Sequence, residues 1–388
     1  MLIEKNLSEL AVGHYVTKIS KQSGNYTLQS PGHIKNFQVI DNLFNWSVQS
    51  VIIDTSKTIL AKRPKQNIIK NEQVIKAEQI KEAKKIFNES KTIQKKILNV
   101  ALSGAPINLE PVIDITNKSI DTIFNNPDSL ACILNIREKD EYLLEHSIAV
   151  SIYITLFARY LSLDRITIEQ LSIGAFLHDI GKIKIPDKIL NKPEKLTNEE
   201  FTVMKTHANH SIDIIKKIPG ISKLSIEVAA LHHEKLDGNG YPFQKKADDI
   251  SIPGRMITIC DIFDALTATR IYKQGFSHPK AFAILRELAN SNHLDKDLVD
   301  KFIKCIGVFP VGSLVQLNSH KLAYVQERNE EKPTHPTVKS FYSIQLSKFE
   351  TTQEIHLATS DDYIIKGVTA EEFQLDMNKI VKLIMLQG

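Results

Sequence analysis

The stretch Leu171-Ser172-Ile173-Gly174-Ala175-Phe176-Leu177-His178-Asp179-Ile180-Gly181-Lys182 ends an apolar run of helical spacing on a histidine–aspartate pair. A neutral imidazole and a carboxylate side by side at a helix end can both ligate metals, and the carboxylate has two oxygens with which to bridge two of them. Gly181 stops or bends the helix just after the pair. Lys182, three residues beyond Asp179, returns to the same side if the turn persists. A lone His-Asp arises by chance in any long chain. Its company gives it weight: His146, His207, the doublet His232-His233 and Asp261 each fall within a predicted helix or at its end.

Outward from that stretch, the pattern is helical almost throughout from Glu110 to about Phe309. Amphipathic segments run near 110–124, 127–137, 140–161, 167–179, 198–217, 223–233, 253–269, 278–290 and 295–305. Thr197 with Glu200 reads as a capping box before the 198–217 helix, and residues 187–195 read as a polar, proline-containing connection. A helical bundle is the natural architecture. The predicted fold class is therefore mainly α, with a catalytic bundle over 110–310 between two smaller modules.

Residues 1–60 read as a small β-containing domain, with strands at 12–16, 37–40 and 48–53 separated by turn residues. Residues 61–109 read as a charged helical linker, rich in lysine and carrying an apolar stripe at Ile80, Ala83, Phe87, Ile93, Ile97 and Val100. Interleaved Glu72, Glu78, Glu82 and Glu89 make its lysines a solvated helix face rather than a basic patch. The stripe allows a homodimer through the 71–100 helix. Residues 311–388 return to strand-like runs at 314–317, 322–325, 341–346 and 354–357, a small β module followed by a short helix near 377–386.

At 388 residues the chain has room for two or three domains with their own cores. Its 42% hydrophobic and 24% charged residues are those of a soluble globular protein, and a net charge of +4 calls for neither a DNA or RNA polymer nor an acidic membrane. No apolar run approaches the length of a membrane span, and no signal peptide is read at the start. The 3 scattered cysteines form no CxxC pair and suit a reducing compartment. Together these predict a cytoplasmic protein.

Taken singly, each of the histidines and aspartates is an ordinary core or surface residue. His207 lines up with Val203 and Met204 one turn earlier and Ser211 one turn later, which favours it over His210 for the buried side of its helix. His232-His233 end an apolar run from Ile226. Asp261 lies in the otherwise apolar segment 257–266, where a carboxylate is costly unless paired or bound to a cation. The mixture of nitrogen and oxygen donors suits iron, manganese, zinc or nickel rather than calcium or magnesium.

The stretch His232-His233-Glu234-Lys235-Leu236-Asp237-Gly238-Asn239-Gly240-Tyr241-Pro242 gives these residues a common context. With it, the chain resembles the HD-GYP phosphodiesterases, a branch of the HD metal-dependent phosphohydrolases. The likeness rests also on His146-Ser147 followed by Val150, on Leu177 to Lys182, and on Ile259 to Thr267 leading to Arg270-Ile271-Tyr272-Lys273. It covers roughly residues 110–310. The first sixty residues are similar to the small domain of unassigned function that often precedes HD-GYP domains, and Pro310 to Leu317 to the exit from the bundle in the same proteins.

The resemblance implies a helical domain that hydrolyses cyclic dinucleotides at a two- or three-metal centre. The implied enzyme is a cyclic-guanylate-specific phosphodiesterase in bacterial second-messenger signalling, turning cyclic di-GMP into linear pGpG and, on a second cleavage, GMP. Carried over by position, the metal ligands are His146, His178, Asp179, His207, His232, His233 and Asp261, with Asp179 bridging. Lys182 matches the catalytic lysine, Gly240, Tyr241 and Pro242 the signature beside the substrate pocket, and Arg270 and Lys273 positions that contact substrate phosphate. Gly238 and Gly240 also read simply as a tight loop needing positive φ.

The chain departs from the family in two places. Members with three metals carry a glutamate one turn before the first histidine, where this chain has Tyr142, with Glu141 one residue out of phase. That favours two divalent transition metals, iron or manganese first, then nickel, cobalt or zinc. After His207, Ala208 and Ser211 stand where the family usually has proline and then glycine, replacements expected to matter little because both are small. Cyclic GMP-AMP is the alternative substrate, since nothing visible reads the base. A spent sensor would lose ligands or the 232–242 block, and a mononucleotidase would lack that block; both are intact.

Overall fold

The amphipathic segments beyond residue 110 fold as helices close to where their spacing puts them. The structure is a computed structural model and describes residues 2–10, 13–24, 26–28, 30–35, 37–58, 68–136, 142–268, 274–329 and 331–386. The chain divides into two units, residues 1–72 and 73–388.

In the first unit, β1 (Leu2–Asn6), β2 (Tyr15–Gln22), β3 (Gly32–His33) and β4 (Val48–Asp54) form an antiparallel sheet in the order β1-β4-β2-β3. Central β4 buries Val51 and Ile53 with Leu7, Leu10, Val16, Ile34 and Leu43. Residues 37–40, expected as a strand, instead open a helix, α1 (Phe37–Asn45). Val39, Ile40 and Leu43 fall on one face of that helix and pack on the small core. So short an apolar run fits either period, and the tertiary contact decides.

A 36-residue helix, α2 (Ile68–Ser103), follows. In the second unit its Ala83, Ile86, Phe87, Ile97 and Ala101 are buried in the chain's own main core. That core is built by α3 (Glu110–Asn125), α4 (Pro127–Ile136), α5 (Tyr142–Tyr160) and α6 (Arg165–Leu177), then the short α7 (Asp187–Leu190), α8 (Asn198–Ile215) and α9 (Lys223–Leu231), then α10 (Ile252–Thr267), α11 (His278–Asn290) and α12 (Lys296–Ile306). The capping box of α8 forms as read: Thr197 N–H donates to Glu200 Oε2 (2.8 Å), and Glu200 N–H to Thr197 Oγ1 (3.2 Å). Asp164, Ser222, Ser251 and Asp295 cap α6, α9, α10 and α12 in the same way, each accepting from the backbone N–H three residues on.

The chain closes with β5 (Leu314–Leu317), β6 (Lys321–Glu327), β7 (Thr337–Ser343), β8 (Lys348–His356) and β9 (Ile364–Val368), an antiparallel sheet in the order β8-β7-β6-β5-β9, and with α13 (Met377–Leu386). Period-2 alternation gives this sheet two working faces. Leu314, Leu322, Tyr324 and Phe341 join the helical core, while Val315, Ala323, Val325 and Val338 make a second small core on the other side. Strand β9 carried no signal strong enough to read in advance. No described helix is long and apolar enough to cross a membrane.

Candidate metal centre

Helix α6 lies against α5 and α9, and α10 lies against α5 and α9 in turn. Helices α6 and α9 each stop one residue short of a histidine, so His178 and His232 cap them and project where the backbone leaves the helix. His146 comes from α5, His207 from α8 and Asp261 from α10. All of these side chains are buried, as is Asp179; His233 is half-buried. Helix α10 separates its duties by face. Phe263 stacks on Phe282 at 5.2 Å between ring centres and anchors the helix in the core, while Asp261 and Asp264 face the histidines.

Asp179 stands at the middle of the cluster. Its Oδ2 lies 3.4 Å from His146 Nε2 and 3.4 Å from His178 Nε2. Its Oδ1 lies 3.4 Å from His207 Nε2 and 3.9 Å from His232 Nε2. Each carboxylate oxygen therefore faces a different pair of imidazoles. Asp261 adds Oδ1 at 2.9 Å from His146 Nε2 and Oδ2 at 3.5 Å from His233 Nδ1. His146, His178 and Asp179 form one group with metal-ligand spacing, and His207, His232 and His233 a second.

The imidazoles are oriented from behind. The Nδ1 atoms of His178, His207 and His232 each lie 2.7 Å from the carbonyl oxygen three residues earlier, of Ala175, Met204 and Ala229. A carbonyl only accepts, so Nδ1 carries the proton and Nε2 presents its lone pair to the centre. His146 Nδ1 meets Asp264 Oδ2 at 2.7 Å instead.

Burial pushes the His207 and His232 imidazoles down, His232 well below the usual range, and burial takes His233 to about 3. These rings are neutral. Burial also opposes a charge on His146, but hydrogen bonds to Asp261 and Asp264 outweigh it and carry the group to about 9. Burial would raise the Asp179 carboxyl, yet the Lys182 ammonium beside it holds it well below the usual range, so it is ionised.

The donor set fits a cation. His207 Nε2 and His232 Nε2 stand 3.3 Å apart, lone pair against lone pair. Among the described residues, His178 Nε2 and Asp179 Oδ1 are buried without a hydrogen-bond partner. Such an arrangement is costly by itself and is relieved by a positive ion among the donors. On the His146–Asp261 contact, a divalent cation can take the place of the shared proton.

Around this cage the chain is tightly fitted. Residues Ile180–Lys184 make a 3-10 turn with Asp179 at its cap, which returns the Lys182 ammonium to hydrogen-bond Asp179 Oδ2. Gly181 does more than end a helix. A Cβ there would sit 2.1 Å from the His207 carbonyl oxygen, so only glycine lets the turn pack on α8. Ser211 is not merely small either: its hydroxyl accepts the Gly181 N–H at 2.8 Å.

In the 232–242 block, Gly238 has the expected positive φ, +82°. Gly240 does not; it is needed for space, since a Cβ would meet the Lys235 nitrogen at 2.4 Å. The Tyr241 ring lies 4.6 Å from that of His233, with a cis peptide to Pro242. Glu234 is buried and ties the block down, accepting from Phe243 N–H (2.7 Å) and Lys245 N–H (3.0 Å).

The histidines and aspartates named from sequence thus come together with Lys182 and Tyr241, while His210 lies half-buried outside both ligand groups. Arg270, Lys273 and Glu141 lie outside the described residues, as does the side chain of Tyr142. Sequence reasoning gave no role to Asp264 or Glu234. Asp264 was legible as a second carboxylate one turn past Asp261 on an apolar helix; Glu234 sits in a polar loop and carries no such signal.

Residues 131–298 match the family model described as HD domain, and residues 2–112 match a domain of unknown function, DUF3391. Residues 131–298 are thus similar to HD domains. A cyclic di-GMP phosphodiesterase of Pseudomonas aeruginosa is 34% identical over 256 residues, 66% of this chain and 61% of the relative. A cyclic di-GMP phosphodiesterase of Vibrio cholerae serotype O1 is 42% identical over 166 residues, 41% of this chain and 34% of that protein. A 3'3'-cGAMP-specific phosphodiesterase of the same organism is 32% identical over 219 residues, 56% of this chain and 40% of that protein. The chain thus spans less than two thirds of the length of each of these relatives. The HD domain match contains the whole cage, from His146 to Asp261.

Proposed function

We propose that this chain is a metal-dependent cyclic dinucleotide phosphodiesterase that hydrolyses cyclic di-GMP to linear pGpG and, on a second cleavage, GMP. The observation that carries the proposal is Asp179, whose two oxygens each face a separate pair of imidazoles. That is the arrangement of a carboxylate bridging two ions, inside a stretch similar to HD domains, in a chain whose relatives are named as phosphodiesterases of this class. His146, His178 and Asp261 would hold one ion, and His207, His232 and His233 the other. Iron or manganese suits this nitrogen-rich set best, with nickel, cobalt or zinc as alternatives.

A phosphodiester is an anion that repels nucleophiles, so the site must neutralise charge at the reacting phosphorus. Bound divalent ions supply that neutralisation and a nucleophile at neutral pH. The chain's own residues do the rest. The carbonyl-held imidazoles keep their donor atoms fixed, so little reorganisation is needed as charge develops. Lys182, held on Asp179 and mostly covered, places a proton beside the centre for the departing 3′ oxygen. Tyr241 walls the site next to His233. Arg270 and Lys273 would hold substrate phosphate, a task for which a guanidinium is well shaped.

Cyclic GMP-AMP is the second reading, favoured by the relative named as specific for it. A homodimer through the 71–100 helix would have to use the helix's charged face, since the described apolar stripe is covered by the chain's own core. The deciding experiment is chromatography of products after incubating manganese- or iron-loaded protein with cyclic di-GMP and with cyclic GMP-AMP in parallel. Linear pGpG from the first is expected. Hydrolysis of neither by protein carrying two ions would overturn the proposal.

A further inference from the structure

Beside the cage, Phe201 and Lys205 stand four residues apart on α8, in the two turns before His207. Phe201 is 45% exposed and belongs to no apolar core among the described residues. Its ring is edge-on to Tyr241 at 6.5 Å between centres, and Tyr241 in turn lies 6.2 Å from His207 and 4.6 Å from His233. The Lys205 ammonium sits 4.8 Å from the Phe201 ring centre and 5.8 Å from that of Tyr241. No ion pair to a carboxylate is formed by Lys205 among the described residues. Lys192, by contrast, is paired with Glu200 at 2.7 Å. An aromatic face and an unneutralised ammonium therefore extend outward from the ligand histidines by way of Tyr241.

Two features stand together beside the cage: an exposed phenylalanine that adds nothing to the core among the described residues, and a lysine held over two aromatic rings. Both are explained by a ligand with a flat π-face and a negative charge. A cyclic dinucleotide engaged through one phosphodiester carries a second phosphodiester and bases that must lie outside the cage. We infer that Phe201 and Lys205 form a subsite for this non-reacting half, with a base on Phe201 and the second phosphate near Lys205. The inference rests on the proposed function and names residues that reading does not need. Aromatic–base stacking is worth about 1–3 kcal/mol where it has been measured by alanine substitution, which corresponds to roughly a 5- to 150-fold change in affinity.

The test is steady-state kinetics of metal-loaded protein with cyclic di-GMP and cyclic GMP-AMP, joined to calorimetric titration of both in the slowly turning-over Lys182→Ala background, with metal content measured on each sample. Phe201→Leu keeps the apolar volume and removes the π-face; it should weaken binding about tenfold, a loss that falls on KM rather than kcat. Phe201→Trp should restore affinity. Lys205→Ala should weaken binding and flatten its dependence on salt, and Lys205→Arg should recover both. Equal affinities across Phe201→Leu, Phe201→Trp and the unaltered protein would overturn the stacking subsite while leaving the proposed function standing. If the unaltered, metal-loaded protein hydrolyses neither dinucleotide, the proposed function fails and the subsite with it.

Discussion

The two sides of Asp179 are built from similar ligands but held by different means. On the Oδ1 side, His207 and His232 are oriented by carbonyls of their own helices, and both rings are neutral. On the Oδ2 side, His178 is held the same way, but His146 is clamped between Asp261 and Asp264 of a helix more than a hundred residues away in sequence. The first side depends on local geometry, which survives as long as the helix ends do. The second depends on two packed helices and two buried carboxylates. One side is therefore robust to side-chain change behind the ligands, and the other exposes its orientation to mutation.

Removing the shared element should have the largest effect. Asp179→Ala takes away the carboxylate that faces both imidazole pairs and also the partner of Lys182. Metal analysis should show both ions largely lost and hydrolysis at background. If one ion stays in full, the two sides do not share Asp179, and the bridge lies elsewhere.

Next comes Lys182→Ala, which leaves every imidazole contact in place. Turnover should fall roughly a hundredfold or more, the range for loss of a positioned proton donor, with both ions and dinucleotide affinity retained on the same sample. Near-normal turnover would mean that Lys182 merely balances the charge of Asp179.

The contrast between the two sides also explains what was legible from sequence. The ligands could be read because they cluster at helix ends or interrupt apolar runs, and because the 232–242 block resembles a known family. The longer helices beyond residue 110 were readable from period 3.6 alone, whereas the short α7 lies in a stretch that reads as a polar connection. The local orienting bonds add no residue type to recognise, since the acceptors are backbone carbonyls. Asp264 and Ser211 went unassigned because their partners, His146 and Gly181, lie 118 and 30 residues away, a pairing only the packed fold reveals. The run at 37–40 misled for a related reason: its small core, not its own period, makes it a helix.

The third prediction works on Asp264. Asp264→Ala removes the acceptor behind His146 and leaves every proposed ligand itself in place. Loss of a partner behind a metal-ligating histidine costs about 10–100-fold in affinity, and here the loss should fall on one ion only. Titrated metal should then bind in two unequal steps where the unaltered protein binds with more similar affinities. Equal weakening of both ions would show that the two sides are coupled through Asp179 more strongly than their separate supports imply.

The smallest effect is expected from Ser211→Ala, on the side held by local geometry. Ser211 joins none of the ligands; its hydroxyl accepts the N–H of Gly181, in the turn that carries Asp179 and Lys182 against α8. The site is fully buried, and the approach is too close for any Cβ at position 181, so water has no room to replace the lost acceptor. An unsatisfied buried N–H costs about 1–3 kcal/mol, to be read as a lower denaturant midpoint with an unchanged slope. Metal stoichiometry should hold, because His207 keeps its carbonyl partner and Asp179 keeps its place at the cap of the turn. If the substitution instead releases metal while stability is unchanged, the seat of the turn on α8 sets the position of Asp179 directly. The Oδ1 side would then depend on a tertiary contact just as the His146 side does, and the distinction between local and long-range support would fail.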